Sequence, residues 1–157
     1  MSCLKDCCSG HILKTFDSIY KIAKREHTTL IITEKPQAAA KIAEALSNSS
    51  EEKRTTKNGV NYFEFSRGGR DYIVGCAVGH LYGVQQREAR GPFPNFDVEW
   101  KPSYQKKSGD FTKKYLDALK ILSKDATEFI VATDYDVEGE VIGLNVIRFV
   151  CGQKDAK

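Results

Sequence analysis

Apolar positions along this chain follow two periods and switch between them several times. Between His11 and Glu26, Ile12, Phe16, Ile19, Tyr20 and Ala23 recur at helical spacing with Lys and Asp between them. That spacing predicts an amphipathic helix packed on the outside of a domain. Thr29–Thr33 (TLIIT) is a short β-branched run and reads as a buried strand. Pro36 suits the first turn of a following helix, which Ala38, Ala39, Ile42, Ala43 and Leu46 carry to about Ser47. Polar, charged Asn48–Asn58 reads as a surface loop. Val60–Ser66 alternates, Asp71–Val78 is more continuously apolar, and Arg67-Gly68-Gly69-Arg70 lies between them, so the pair predicts a hairpin. Gly79–Gly109 lacks periodicity and holds every proline except Pro36, together with the single Trp100. It reads as an extended excursion held down by its aromatics. Phe111–Lys124 predicts a helix with Leu116, Leu119, Ile121 and Leu122 on its apolar face. Glu128–Thr133 then reads as a second buried strand, and Val137–Val150 as a final helix.

Strand–helix units at both ends, with strands apolar on both faces, predict an α/β sheet that is largely parallel and flanked by helices. The pattern divides the chain into an N-terminal extension, residues 1–27, and a domain, residues 28–157, with its excursion at about 79–109. Ligands of such sheets sit beyond the carboxyl ends of the strands. Glu34 and Asp134 each follow a strand at that end.

Composition narrows the class without naming the chemistry. A chain of 157 residues suits one domain with a proper core, and 41% hydrophobic with 29% charged residues excludes a disordered one. The net charge of +3 is too small to demand a polyanionic partner, so any such partner must be recognised by local patches. No apolar run approaches the ~20 residues that span a bilayer, and Met1-Ser2-Cys3-Leu4-Lys5-Asp6 lacks the apolar stretch of a signal peptide. The five cysteines are therefore expected to be reduced thiols of an intracellular protein. Cys3, Cys7, Cys8 and His11 form a cluster, but adjacent cysteines suit a tetrahedral zinc site poorly. Cys76 and Cys151 lie in apolar surroundings and read as core residues.

The candidate chemistry sits in Ala132–Glu140, where Asp134, Asp136, Glu138 and Glu140 follow the apolar Phe129-Ile130-Val131. Two readings fit: a solvated turn that caps the next helix, or a cation site. Asp134 and Asp136 are spaced so that both carboxylates can reach one point, with Glu138 joining through a water. Oxygen ligands without His or Cys suit a hard cation, and magnesium is favoured. Glu34, placed beside other acids, is expected to hold a proton that it can donate to a leaving oxygen. Lys35 then balances charge on a phosphate; alternatively the two are a solvated loop pair.

These segments resemble a known family. "IITEKPQAAAKIAEAL", "VGHLYGV" and "VATDYDVEGEVIG" together resemble the Toprim domain of type IA DNA topoisomerases, most closely the archaeal topoisomerase I and topoisomerase III branch. The likeness covers Leu30 to about Val150 and leaves residues 1–27 outside. It implies a Toprim, Rossmann-like fold and a share in cleaving and resealing one DNA strand. It implies Glu34 as general acid on the 3′ leaving oxygen, Lys35 as a phosphate-steadying group, and Asp134, Asp136 and Glu138 as ligands of Mg2+. His80 matches the histidine of the family's "GH" segment, as a nucleic-acid contact or a structural turn. Where many relatives carry Pro and Arg, this chain has Tyr135 and Val137, which removes one phosphate contact. The family's nucleophilic tyrosine lies in a different domain, and none of the seven tyrosines here matches it. The implied partners are a single-stranded segment of DNA and the domains that carry that tyrosine; the implied setting is the cytoplasm, at the nucleoid. Arg87, Arg90, Lys106 and Lys107, interleaved with Phe93, Phe96, Trp100 and Tyr104, are candidate nucleic-acid contacts. A stand-alone Toprim nuclease or primase-like enzyme, and a module that binds nucleic acid without catalysis, are the competing readings.

Overall fold

The computed structural model describes residues 27–87, 93–105 and 111–156. The helix expected at His11–Glu26, the cysteine cluster, Arg90, Lys106 and Lys107 lie outside the described residues. In chain order the elements are β1 (Thr28–Thr33), α1 (Pro36–Ser47), β2 (Glu52–Thr55), β3 (Asn61–Arg67), β4 (Arg70–Cys76), β5 (Tyr82–Gln86) and β6 (Val98–Pro102). A 3-10 turn at Ser103–Gln105 precedes α2 (Thr112–Leu122), β7 (Glu128–Ala132) and α3 (Val137–Phe149).

The main sheet has the order β2-β3-β4-β1-β7. β1 is its spine: all six residues are buried, and it pairs in parallel with β4 on one side and β7 on the other. β3 pairs antiparallel with both β2 and β4, so four of the five strands share one direction. The α/β fold with a mostly parallel sheet and flanking helices is therefore as the sequence led us to expect. Alternation along β1 sorts the core into two layers. Leu30 and Ile32 face α2 and α3, packing with Ile73, Leu116, Leu119, Ile142 and Val146. Ile31 faces α1, packing with Ala39, Ala43, Phe65 and Val74. Gly68 and Gly69, both left-handed, close the two-residue turn of the β3–β4 hairpin.

Five local expectations are corrected. Asn48–Asn58 is not all loop: β2 forms within it, as an edge strand exposed at every residue and invisible to a hydrophobic pattern. Its backbone pairs with β3 and its Arg54 reaches Glu64 at 3.1 Å. The excursion is not structureless, because β5 and β6 pair antiparallel as a separate ribbon. Nor do its aromatics all anchor it: Tyr82 is buried and Tyr104 packs on the core, but Phe93 and Phe96 are 96% and 84% exposed. β7 is an outer strand of the sheet and only half-buried, and Ile121 of α2 points to solvent.

Candidate active site

Three loops leave the carboxyl ends of the neighbouring parallel strands β4, β1 and β7, and they meet above the sheet. Thr33 of β1 pairs with Cys76 of β4 and with Ala132 of β7, so the residues that follow each strand start side by side. This is the position where an open α/β sheet presents a ligand.

The first loop carries Glu34 and Lys35, and its backbone is tied to the end of β4. Ala77 N donates to Thr33 O at 2.8 Å, Val78 N to Glu34 O at 3.0 Å, and the Cys76 thiol to Glu34 O at 3.2 Å. Thr33 Oγ1 lies within bonding distance of both Gly75 O and Lys35 O. Glu34 is held with its side chain only 15% exposed, whereas Lys35 stands 59% exposed. Lys35 Nζ donates to Asp134 Oδ2 at 2.5 Å and lies 3.7 Å from Glu34 Oε1. The hydrogen bond to Asp134, then the charges of Asp134 and Glu34, hold the lysine's pKa above its ordinary value.

The second loop is the acidic one after β7. Asp136 is extended (φ −145°, ψ 173°) and caps α3, its Oδ1 accepting from Gly139 N at 2.7 Å. Glu138 and Glu140 occupy the first turn, where the helix dipole favours negative charge. Gly139 is required by a close approach: a Cβ there would stand 2.2 Å from the backbone oxygen of Asp134. Thr133 Oγ1 donates to Gly139 O at 2.9 Å and fastens the same turn. Gly139 and Thr133 were not singled out in the sequence. The available signal was a glycine between two glutamates in the first turn of a helix, where glycine is a poor helix former.

The third loop follows β4. Val78 and Gly79 are both left-handed, at φ 50° and 74°. A β-branched residue in that region is strained, and such strain gathers at functional sites. The turn presents His80, whose Nε2 lies 3.2 Å from Glu138 Oε1.

Sequence-predicted residues Glu34, Lys35, His80, Asp134, Asp136 and Glu138 are thus carried by loops that meet, but the three acids do not gather at one point. Asp134 faces Lys35, Asp136 caps the helix, and Glu138 faces His80. Among the described residues no group of three or more His, Cys, Asp or Glu side chains is arranged to hold a metal ion. What the structure does show is two carboxylates, Glu34 and Asp134, converging on one cation, the Lys35 ammonium. An oxygen donor pair of this kind fits a hard divalent ion, which commonly takes one or two protein carboxylates and keeps its waters for phosphate.

Of the remaining candidates only Arg87, directly after β5, is among the described residues. Arg87 is paired with Asp97 at 3.3 Å, and Lys101 with Glu99 at 2.9 Å. One face of the ribbon sets Val84 opposite Trp100, with Val98 beyond, and these are 50%, 40% and 48% exposed. A cavity of about 930 Å³ lies elsewhere, along β7 and the segment after α3, lined by Phe129, Ile130, Val131 and Ile147. Shape alone would select it, yet the converging carboxylates and the strained turn are at the other location, which is where we place the site.

The Toprim domain model matches residues 29–157, which contain all three loops. DNA topoisomerase 1 of Methanocaldococcus jannaschii is 46% identical over 132 residues, covering 83% of this chain and 17% of that protein. DNA topoisomerase 1 of Pyrococcus furiosus is 48% identical over 124 residues, covering 78% of this chain and 12% of that protein. DNA topoisomerase 3 of Bacillus cereus is 32% identical over 136 residues, covering 82% and 17%. The chain spans less than a fifth of the length of these curated relatives, which by name are topoisomerases and hence isomerases. Toprim domains of topoisomerases bind a divalent metal. With its match, its parallel sheet and its acidic strand ends, this chain belongs to the Toprim domain family.

Proposed function

We propose that this chain is the acidic half of a type IA DNA topoisomerase active site, working on a single-stranded segment of DNA with Mg2+. The observation that carries the reading is the meeting of Glu34 and Asp134 around one cation at the ends of adjacent parallel strands. Asp134, Asp136 and Glu138 would hold the ion, which when bound supplies charge stabilisation at a phosphodiester. Glu34, on a clamped backbone and largely shielded from water, is placed to give a proton to the 3′ oxygen leaving phosphorus and to take it back on resealing. Lys35 reaches out of the site far enough to balance charge on the phosphate. His80 holds Glu138 at its far side and is a second candidate contact to nucleic acid.

The nucleophile in this reading is a tyrosine of another domain, so the chain by itself binds DNA and does not cut it. The β5–β6 ribbon rises from the site, since β5 begins two residues after His80. Its exposed Trp100, and Phe93 and Phe96 in the segment between its strands, would offer stacking faces for unpaired bases, with Arg87 and, outside the described residues, Arg90, Lys106 and Lys107 as candidate cations. This reading places the protein in the cytoplasm, at the nucleoid; among the described residues no helix is long and apolar enough to cross a membrane.

Because Trp100 is the only tryptophan, its fluorescence reports on the ribbon directly. Titrating the chain with a single-stranded oligonucleotide and Mg2+ is expected to quench Trp100 and leave the strand intact. Cleavage products would transfer the assignment to a stand-alone Toprim nuclease. Absence of any nucleic-acid binding would overturn the DNA reading.

A further inference from the structure

The amine of Lys35 sits on Asp134, one of the three acids to which the metal reading assigns a divalent ion, with Glu34 3.7 Å away. We infer that Lys35 is a built-in counter-ion that competes with the divalent cation for Asp134, and that the ion's arrival releases the lysine toward the phosphate. The inference rests on the metal reading of the site and deepens it. It makes ion binding and phosphate binding two halves of one exchange.

Three features make the exchange physically reasonable. The backbones that carry the two carboxylates are tied independently of the lysine: the Glu34 carbonyl accepts from Val78 N and the Cys76 thiol, and the Asp134 carbonyl from Asp136 N at 2.9 Å. Lys35 is held at its backbone, as the residue before α1, while its side chain is 59% exposed and free to swing without disturbing the core. No other described basic side chain is paired with Asp134, so its charge is balanced by this lysine or by whatever displaces it. By linkage, two cations that exclude each other at one carboxylate weaken each other's binding, whereas an anion that captures the released lysine strengthens the ion's binding.

The test is isothermal calorimetry of Mn2+ binding to the whole chain, wild type beside Lys35→Ala and Lys35→Met. Lys35 and Asp134 are both more than half exposed, so the competing pair is a weak one, and the variants are expected to bind Mn2+ roughly two- to fivefold more tightly. Adding a short single-stranded oligonucleotide should tighten Mn2+ binding in the wild type and do so less in the variants. Equal or weaker ion affinity in both variants would overturn the counter-ion inference while leaving the metal reading in place. If neither the wild type nor a variant binds Mn2+ with or without the oligonucleotide, the metal reading falls and this inference falls with it.

Discussion

Asp136 illustrates how one carboxylate serves structure and chemistry in ways that substitution can separate. Its Oδ1 caps α3 through Gly139 N at 2.7 Å, which a neutral amide does as well as a carboxylate. Asp136→Ala removes the cap and should cost about 1 kcal/mol of unfolding free energy, whereas Asp136→Asn should change it by only a few tenths. Both should weaken divalent-ion binding if the residue is also a ligand. Urea unfolding in chelator followed by calorimetry separates the two effects, and equal destabilisation by Ala and Asn would show that the cap contributes nothing. At this scale much of the site was legible, because Glu34, Lys35 and Asp134 each sit where a strand ends. The His80–Glu138 contact was not, since it depends on Val78 adopting a left-handed backbone that no propensity for valine would suggest.

At the scale of elements, legibility followed burial. β1, α1, the β3–β4 hairpin and α3 were readable because their apolar periods face one of the two core layers. β2 and the β5–β6 ribbon were not, because β2 is exposed at every residue and the ribbon buries only Tyr82, so both are held by backbone pairing rather than by pattern. β7 was read as buried because Phe129-Ile130-Val131 is a continuous apolar run, yet among the described residues it has β1 on one side only. Ile130 shares its face with Ile31 but lies beyond the cover of α1, and is 46% exposed. An outer strand that shows an isoleucine to water is an invitation to edge-to-edge association. The chain should therefore self-associate reversibly as its concentration rises, and Ile130→Lys should suppress this with little loss of stability. Sedimentation velocity over a concentration series checks it; unchanged association in the variant would clear β7 of the role.

Across the whole molecule, the net charge of +3 hides a local reversal, because the site gathers acids on two of its three loops in a mildly basic chain. No single loop makes the site; β4, β1 and β7 must stay paired for Lys35 to meet Asp134 and His80 to meet Glu138. An ion held across these loops therefore binds the folded chain and not the unfolded one, and must stabilise it. At an ion concentration about a hundredfold above its dissociation constant the gain is about 2.7 kcal/mol. For a domain of this size that is a rise in melting temperature of roughly 5–10 °C. Screening of acidic repulsion by salt would also raise the melting temperature, so the control is NaCl at matched ionic strength. Asp134→Asn supplies the second control, since it removes the carboxylate on which the ion and Lys35 converge. The expected result is a magnesium-dependent rise in the wild type that NaCl does not reproduce and that Asp134→Asn loses. A rise of the same size in the variant would mean that the ion acts on the surface at large, and the three loops would no longer constitute a site.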